Sequence, residues 1–202
     1  MNTLITEELV LLRQALADKR LYVAWLVLVL WAWLVGMGLL ATCALALLAA
    51  SLLLMSAIDL RHMILPLSLT LPTTLLGLIL APLTLGASVA LVVVGLFTGF
   101  LLFAFLSLVM YLLTKRESLG LGDAQLLALI GAWGGVTALL PTLLIASFAA
   151  LAMLPWRGTF GWQKDGPMPF GPFLALGGWV SVLHQDAFYT ALFAFHRWIG
   201  LA

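Results

Sequence analysis

No charged residue occurs between Leu21 and Ile58, a stretch about twice as long as one membrane crossing requires. Roughly 20 apolar residues cross the hydrocarbon core, so this stretch predicts two spans, which we separate at Gly36-Met37-Gly38. Only 8% of the 202 residues are charged and 64% are hydrophobic, whereas about a quarter of the residues in a soluble domain are charged. The sequence therefore predicts an all-α, polytopic membrane protein.

The other apolar segments bring the prediction to about seven transmembrane helices, within a range of six to eight. These further spans cover residues 65–83, 87–113, 124–139, 141–156 and 170–183. Residues 186–202 are predicted to form an interfacial helix or a partial span. Residues 1–20 carry apolar side chains at helical spacing with charges between them, which predicts a cytoplasmic amphipathic helix on the membrane surface. We thus expect this helix followed by a transmembrane domain over 21–202.

The basic residues predict the orientation of these spans. They precede the first span and follow the second, fourth and sixth, whereas the intervening turns carry neither Lys nor Arg. Since cytoplasmic loops are enriched in Lys and Arg, we predict that the amino terminus and the basic loops are cytoplasmic. The residues concerned are Arg13, Lys19, Arg20, Arg61, Lys115, Arg116, Arg157 and Lys164, and only Arg197 falls on the other side.

Two carboxylates lie at the cytoplasmic edge of this topology. Asp59 ends the second span, and Asp123 begins the fifth, directly after Gly120-Leu121-Gly122. An ionisable group at membrane depth is costly and indicates function. Two carboxylates held close together cannot both ionise readily, so they would share a proton, one acting as base toward water while the other polarises a carbonyl. The pair predicts aspartyl protease chemistry without a metal or cofactor, and the sequence does not assign the two roles.

Each acid also has a simpler interpretation. Asp123 could serve only as a helix N-cap, since Asp accepts hydrogen bonds from the free amides at a helix start. Asp59 could form an ordinary interfacial ion pair with Arg61. His62 could relay a proton but is more typical of an interfacial histidine. The glycines before Asp123 could merely form a turn or could let an extended substrate approach closely.

Other features exclude further kinds of site. Cys43 is the only cysteine, so an intrachain disulfide and a paired-cysteine zinc site are excluded, and we expect a small buried thiol. The sequence has no basic tract with interleaved aromatic residues, so nucleic acid binding is not expected.

Three segments resemble the bacterial type IV prepilin peptidases, a family of GxGD-type intramembrane aspartyl proteases. The first segment is Ile58-Asp59-Leu60 with Leu65-Pro66 and Leu69-Thr70-Leu71-Pro72. The second segment is Glu117 with Gly120-Leu121-Gly122-Asp123 and Gly131-Ala132-Trp133-Gly134-Gly135. The third segment is Pro167 with Pro169-Phe170-Gly171-Pro172-Phe173 and Gly178-Trp179. They occur in the family's order. The resemblance implies catalytic roles for Asp59 and Asp123, and substrate-binding or supporting roles for Gly120, Gly122, Pro169, Phe170, Gly171 and Pro172.

The resemblance also implies a location and a substrate class. Members of the family act in the bacterial inner membrane, with the active site facing the cytoplasm. They remove the short basic leader of type IV prepilins, or of the pseudopilins of type II secretion, and cut after a glycine just before the apolar pilin helix. The expected partners are therefore prepilins or pseudopilins and the lipid bilayer.

The sequence departs from the family pattern in several places. Typical members carry an additional first span and a cytoplasmic domain with paired cysteines that bind zinc. This sequence shows neither, so we expect a short form without the N-methyltransferase activity that is associated with that region. Leu67 stands where the family usually has an acid, and Gln125 stands where it often has a basic residue. These two changes leave the matched catalytic positions intact and could alter how the leader is held.

Three other functions compete with the peptidase. A non-catalytic assembly factor for pilin-like proteins would bind pilin helices without cutting them, and its aspartates would be dispensable. A proton-coupled carrier would use a carboxylate near the membrane midplane, which the predicted cytoplasmic-edge position of both acids disfavours. A peptidase for archaeal preflagellins shares the Gly-x-Gly-Asp logic, but the match around Pro169–Phe173 favours the bacterial branch.

Overall fold

The computed structural model describes residues 2–114, 120–159 and 168–198. All regular structure in these ranges is helical, which confirms the all-α prediction. The helices are α1 (Asn2–Leu16), α2 (Lys19–Leu34), α3 (Leu39–His62), α4 (Leu67–Thr84), α5 (Val89–Thr114), α6 (Leu121–Gly134), α7 (Val136–Met153) and α8 (Gly171–Trp198). A 3₁₀ turn over Leu154–Trp156 extends α7.

Four helical segments of the described chain are long and apolar enough to cross a membrane. They are α3, α4, α5 up to Leu113, and α7 with its 3₁₀ extension. By contrast, α2 has 16 residues and α6 has 14, both below the roughly 20 that a full crossing needs. The protein is a multi-pass membrane protein, and the number of about seven spans stays a prediction.

The boundary between the fifth and sixth predicted spans was placed too late in the sequence. The chain reverses at Gly135, whose φ of +72° favours glycine, and Pro141 lies inside α7. A proline at this position leaves the carbonyl four residues earlier, that of Thr137, without its usual amide donor. The Tyr189 hydroxyl donates to this carbonyl at 3.0 Å, which allows α7 to continue through the proline.

The predicted division between residues 170–183 and 186–202 coincides with a kink between two helical segments. Helix α8 runs from Gly171 to Trp198 and is bent at His184, whose φ of −132° and ψ of 21° are non-helical. The bend at His184 lies directly after the predicted end of the first of these two segments. The last residues of the predicted carboxyl-terminal segment, 199–202, lie outside the described ranges.

Helix α6 is the centre of the bundle and packs against α4, α5, α7 and α8. Glycines let α5 approach α6 closely: a Cβ on Gly99 would lie 2.6 Å from the Leu127 carbonyl oxygen, and small residues at such crossings are typical of membrane helices. On the α4 side, the Trp133 indole donates to the Thr73 carbonyl at 2.9 Å and lies against Gly77. These contacts fix the position of α6 and therefore of Asp123 in its first turn.

Helix α1 packs against the end of α3, where Ala15 forms a small buried cluster with Ala57 and Ile58. The Glu8 carboxylate accepts from the backbone amides of Leu67 and Ser68, both at 3.3 Å, and so caps the start of α4. Helix α1 ends at Leu16, within the helix predicted over residues 1–20, and the predicted location at the membrane surface stays a prediction.

The single cysteine differs from the expectation. Cys43 is exposed on the outer surface of α3 and was expected to be buried. In a membrane helix an apolar thiol can face lipid as readily as it faces the protein core, so sequence composition does not distinguish the two positions.

Candidate active site

Asp59 lies in the last turn of α3 and is buried, with 6% of its surface exposed. Its Oδ2 accepts a hydrogen bond of 2.9 Å from the backbone amide of Gly171, the first residue of α8. The amides at a helix start have no partners within the helix and favour negative charge. One end of α8 therefore orients this carboxylate and stabilises its charge.

Gly171 allows this close approach because it has no side chain. A Cβ at this position would lie 2.7 Å from Oδ2 and 3.0 Å from Cγ of Asp59. The requirement comes from contact rather than from backbone strain, since φ at Gly171 is not in the left-handed region. Pro172 follows at the second helical position, where the fixed φ of proline suits a helix start. The Gly-Pro pair thus shapes the contact between α8 and Asp59.

Asp123 lies in the first turn of α6 and is half-buried. The N-cap of α6 is Gly120, and no side chain makes a capping bond there. The interpretation of Asp123 as an N-cap is therefore wrong. Gly122 packs closely against Leu65: a Cβ on Gly122 would lie only 3.1 Å from the Leu65 side chain. This glycine brings the start of α6 close to the segment that follows α3.

The ion pair that was considered for Asp59 is also absent from the described residues. Arg61 pairs instead with Asp18 at 3.0 Å, between α1 and α2, and its side chain is half exposed. Two residues after Arg61, Met63 adopts a left-handed conformation with φ of 53° and its amide donates to the Asp59 carbonyl at 2.9 Å, which ends α3. The chain therefore turns away directly below Asp59 and leaves its carboxylate facing the interior.

Both carboxylates line one cavity of about 860 Å³. It lies at the end of the bundle where α3 ends and where α6 and α8 begin. Its lining residues are Asp59, Met63, Ile64, Leu65, Ala104, Ser107, Leu108, Tyr111, Gly120, Leu121, Gly122, Asp123, Gln125, Met168, Pro169 and Phe170. The cavity thus brings a carboxylate from α3 and a carboxylate from α6 to one mostly apolar cleft, which is wide enough to hold a segment of peptide.

The family model described as the type IV leader peptidase family matches residues 46–154, a range that includes both aspartates and covers more than half of the sequence. The chain belongs to the type IV leader peptidase family. The sequence resemblance is therefore confirmed at the level of the family.

Relatives of this family member include proteins named prepilin leader peptidase/N-methyltransferase. That of Stutzerimonas stutzeri is 39% identical over 156 residues, which is 76% of this chain and 54% of the relative. That of Burkholderia pseudomallei strain K96243 is 40% identical over 148 residues, 72% of this chain and 47% of the relative. That of Pseudomonas aeruginosa is 39% identical over 147 residues, 71% and 50% of the two chains. The chain spans about half the length of these relatives, and no solved structure matches it.

The residues that the sequence singled out in this peptidase-family member come together around the cavity, with one exception. Gly120, Gly122, Pro169 and Phe170 line it, and Gly171 reaches Asp59 through its amide. Pro172 is not part of the lining and instead belongs to the start of α8. Glu117 and Pro167, which also carried the resemblance, lie outside the described residues, as do Lys115, Arg116 and Lys164.

Phe170 forms a wall that its neighbours hold in place. Its ring stacks near that of Phe103 at 6.3 Å between centroids and lies 6.5 Å from that of Phe173. Aromatic pairs at these separations are favourable beyond their buried area. Phe170 thus forms a wall of the cavity between α5 and α8.

Sequence reasoning missed the contribution of α5 to the site. Ala104, Ser107, Leu108 and Tyr111 line the cavity, and they recur at the spacing of one helical face. The signal was the pair Ser107 and Tyr111, polar residues four positions apart in an otherwise apolar span. For metal binding, the His, Cys, Asp and Glu side chains of the described ranges form no group of three that could hold an ion.

Proposed function

We propose that this protein is a membrane-embedded aspartyl endopeptidase that removes the leader from type IV prepilins or pseudopilins. The observation that carries the proposal is the shared cavity, which is lined both by Asp59 at the end of α3 and by Asp123 at the start of α6. Membership in the leader peptidase family and the names of the relatives support the reaction and the substrate class.

The geometry supports different roles for the two acids. The Gly171 amide already bonds Oδ2 of Asp59, and a donor of this kind stabilises a charged acceptor. We therefore assign Asp59 as the ionised base and Asp123, which has no such capping bond in the described chain, as the acid that carries the shared proton. This assignment goes beyond the sequence, which left the two roles open.

Hydrolysis then proceeds in two balanced steps. The water oxygen attacks the carbonyl carbon of the scissile peptide, its proton passes to Asp59, and Asp123 gives its proton to the carbonyl oxygen. The tetrahedral intermediate collapses as the C–N bond breaks. The leaving nitrogen takes the proton from Asp59, and a hydroxyl of the intermediate returns a proton to Asp123. Both acids finish in their starting forms, and the products are a carboxylic acid and an amine.

We place the active site at the cytoplasmic face of a bacterial inner membrane. The described basic residues support this orientation. Arg61 follows Asp59 at the end of α3 and pairs with Asp18. Asp18 directly precedes Lys19 and Arg20, so these two basic residues lie at the same end of the bundle as Asp59. A basic leader lies on that side of the membrane before cleavage, and the apolar pilin helix that follows it can enter laterally from lipid. The division into a surface helix over 1–20 and a peptidase domain over 21–202 belongs to this proposal.

Cleavage of a prepilin by membranes that contain this protein tests the proposal. The substrate is incubated with the membranes, and mass spectrometry identifies the new amino terminus. We expect a cut after the glycine that precedes the apolar helix. Uncut prepilins and pseudopilins that nevertheless co-purify with a correctly inserted protein would favour the assembly factor and contradict the peptidase.

A further inference from the structure

Gln125 is a polar residue of the cavity that the reaction described above does not use. It lies on α6 two positions after Asp123 and lines the same cavity as both aspartates. Apart from these two residues and the Trp133 indole, the side chains of α6 are apolar or absent, and most of the helix is buried. A neutral amide at this position is therefore conspicuous in an otherwise apolar helix.

The Oε1 atom of Gln125 is buried and has no hydrogen-bond partner among the described residues. A buried acceptor without a donor is costly, because it has lost its bonds to water and gained none in return. Such an atom in a native fold calls for an explanation, such as a ligand that supplies the donor. The residue also lines the cavity, so a turn of its side-chain amide, a soft torsion, would bring Oε1 to an occupant of the cavity that supplies the donor.

The chemistry of the side chain identifies the donor. A neutral amide does not select a charged group, but it matches a peptide backbone, which offers N–H donors and C=O acceptors in the same spacing. An extended peptide in this cavity would lose water from its backbone against the apolar walls formed by Leu65, Met168 and Phe170. A backbone amide next to the scissile bond therefore needs an acceptor as much as Oε1 needs a donor.

We propose that Gln125 binds the backbone of the substrate peptide, accepting a hydrogen bond from an amide adjacent to the scissile bond. The inference rests on the proposed function and adds a substrate-binding residue to it. Because the bond is made to the backbone, it holds the peptide in register with Asp59 and Asp123 without reading its side chains. It is formed equally in the bound substrate and the transition state, so its loss changes KM and leaves kcat nearly unchanged.

The variant Gln125→Met tests this role, since methionine keeps the length of the side chain and removes the amide. In the full-length protein acting on a prepilin, we expect KM to rise about tenfold with kcat within about twofold of the wild type. Gln185→Met is the matched control. Gln185 lies on α8 away from the cavity and bonds the Thr137 hydroxyl at 2.8 Å, so its replacement should leave KM unchanged.

Substrates with a single backbone ester, which lacks one N–H, make the test specific. We expect one ester position near the cut to raise KM for the wild type and to add nothing further in Gln125→Met, because both changes remove the same bond. An unchanged KM in Gln125→Met, or additive effects at every ester position, would overturn the inference while the peptidase function stood. A wild type that cuts no prepilin would instead overturn the proposed function itself.

Discussion

Substitution of Gly171 by alanine probes how α8 controls the base. The added Cβ would lie 2.7 Å from Oδ2 of Asp59, so the carboxylate or the helix start must move by about 0.7 Å to reach an ordinary contact of 3.4 Å. That displacement lengthens the 2.9 Å hydrogen bond between the Gly171 amide and Oδ2. Alanine itself is compatible with the backbone at this position, so the effect is confined to the contact with Asp59.

The expected loss follows from the bond and from the displacement. A hydrogen bond to a charged group contributes about 1.5–3 kcal/mol, and a misplacement on the order of 1 Å near the reacting atoms can cost about 100-fold in rate. We therefore expect kcat to fall about 10- to 100-fold in Gly171→Ala, with KM within about threefold of the wild type, because the walls that hold the peptide are unchanged.

The assay is the initial rate of prepilin cleavage by purified protein at equal inserted amounts, over a range of substrate concentrations. Gly158→Ala is the control, because a Cβ there would meet no atom within 4 Å. A kcat for Gly171→Ala within about threefold of both the wild type and Gly158→Ala would refute the reasoning, since the crowded carboxylate would then have no part in the rate-limiting chemistry.

Two further predictions concern the parts of the fold that position the site. Gly99→Ala should destabilise the protein by about 1–3 kcal/mol, because the added methyl group overpacks α5 against the Leu127 carbonyl. The free energy of unfolding is measured from the loss of helicity in denaturant. A stabilisation of about 1 kcal/mol, as better helix propensity alone would give, would show that α5 and α6 are not in this contact. Glu8→Ala should weaken the docking of α1 by about 1 kcal/mol through loss of the cap on α4. Trypsin should then cut faster at Arg13 than in Glu7→Ala, and equal rates in the two variants would contradict the cap.

The sequence predicted the helical class and the meeting of Asp59 with Asp123 for a physical reason. Charge is rare in apolar spans, so the few carboxylates and the alternating basic loops carry most of the topological information. That topology returned both acids to one edge of the membrane although they are distant in the chain. The structure brings them to one cavity, as the prediction required.

Other features depended on contacts that no local pattern encodes. The bond between Gly171 and Asp59 joins residues 112 positions apart, so the sequence could mark Gly171 as a site residue without indicating what it touches. Pro141 suggested a helix boundary, and only the distant Tyr189 hydroxyl explains why α7 continues through it. Arg61 was close to Asp59 in sequence but pairs with Asp18, since α1 and α2 bring that acid to the outer side of α3.

Replacement of Asp59 and Asp123 tests whether the two carboxylates together perform the cleavage. Asp59→Asn and Asp123→Asn are compared with the wild type in the prepilin cleavage assay, with Asp18→Asn as a control that loses only an exposed ion pair with Arg61. We predict that each active-site variant inserts normally and loses about a thousandfold or more of the cleavage rate, while Asp18→Asn stays near the wild type. Cleavage retained by either Asp59→Asn or Asp123→Asn would contradict the account.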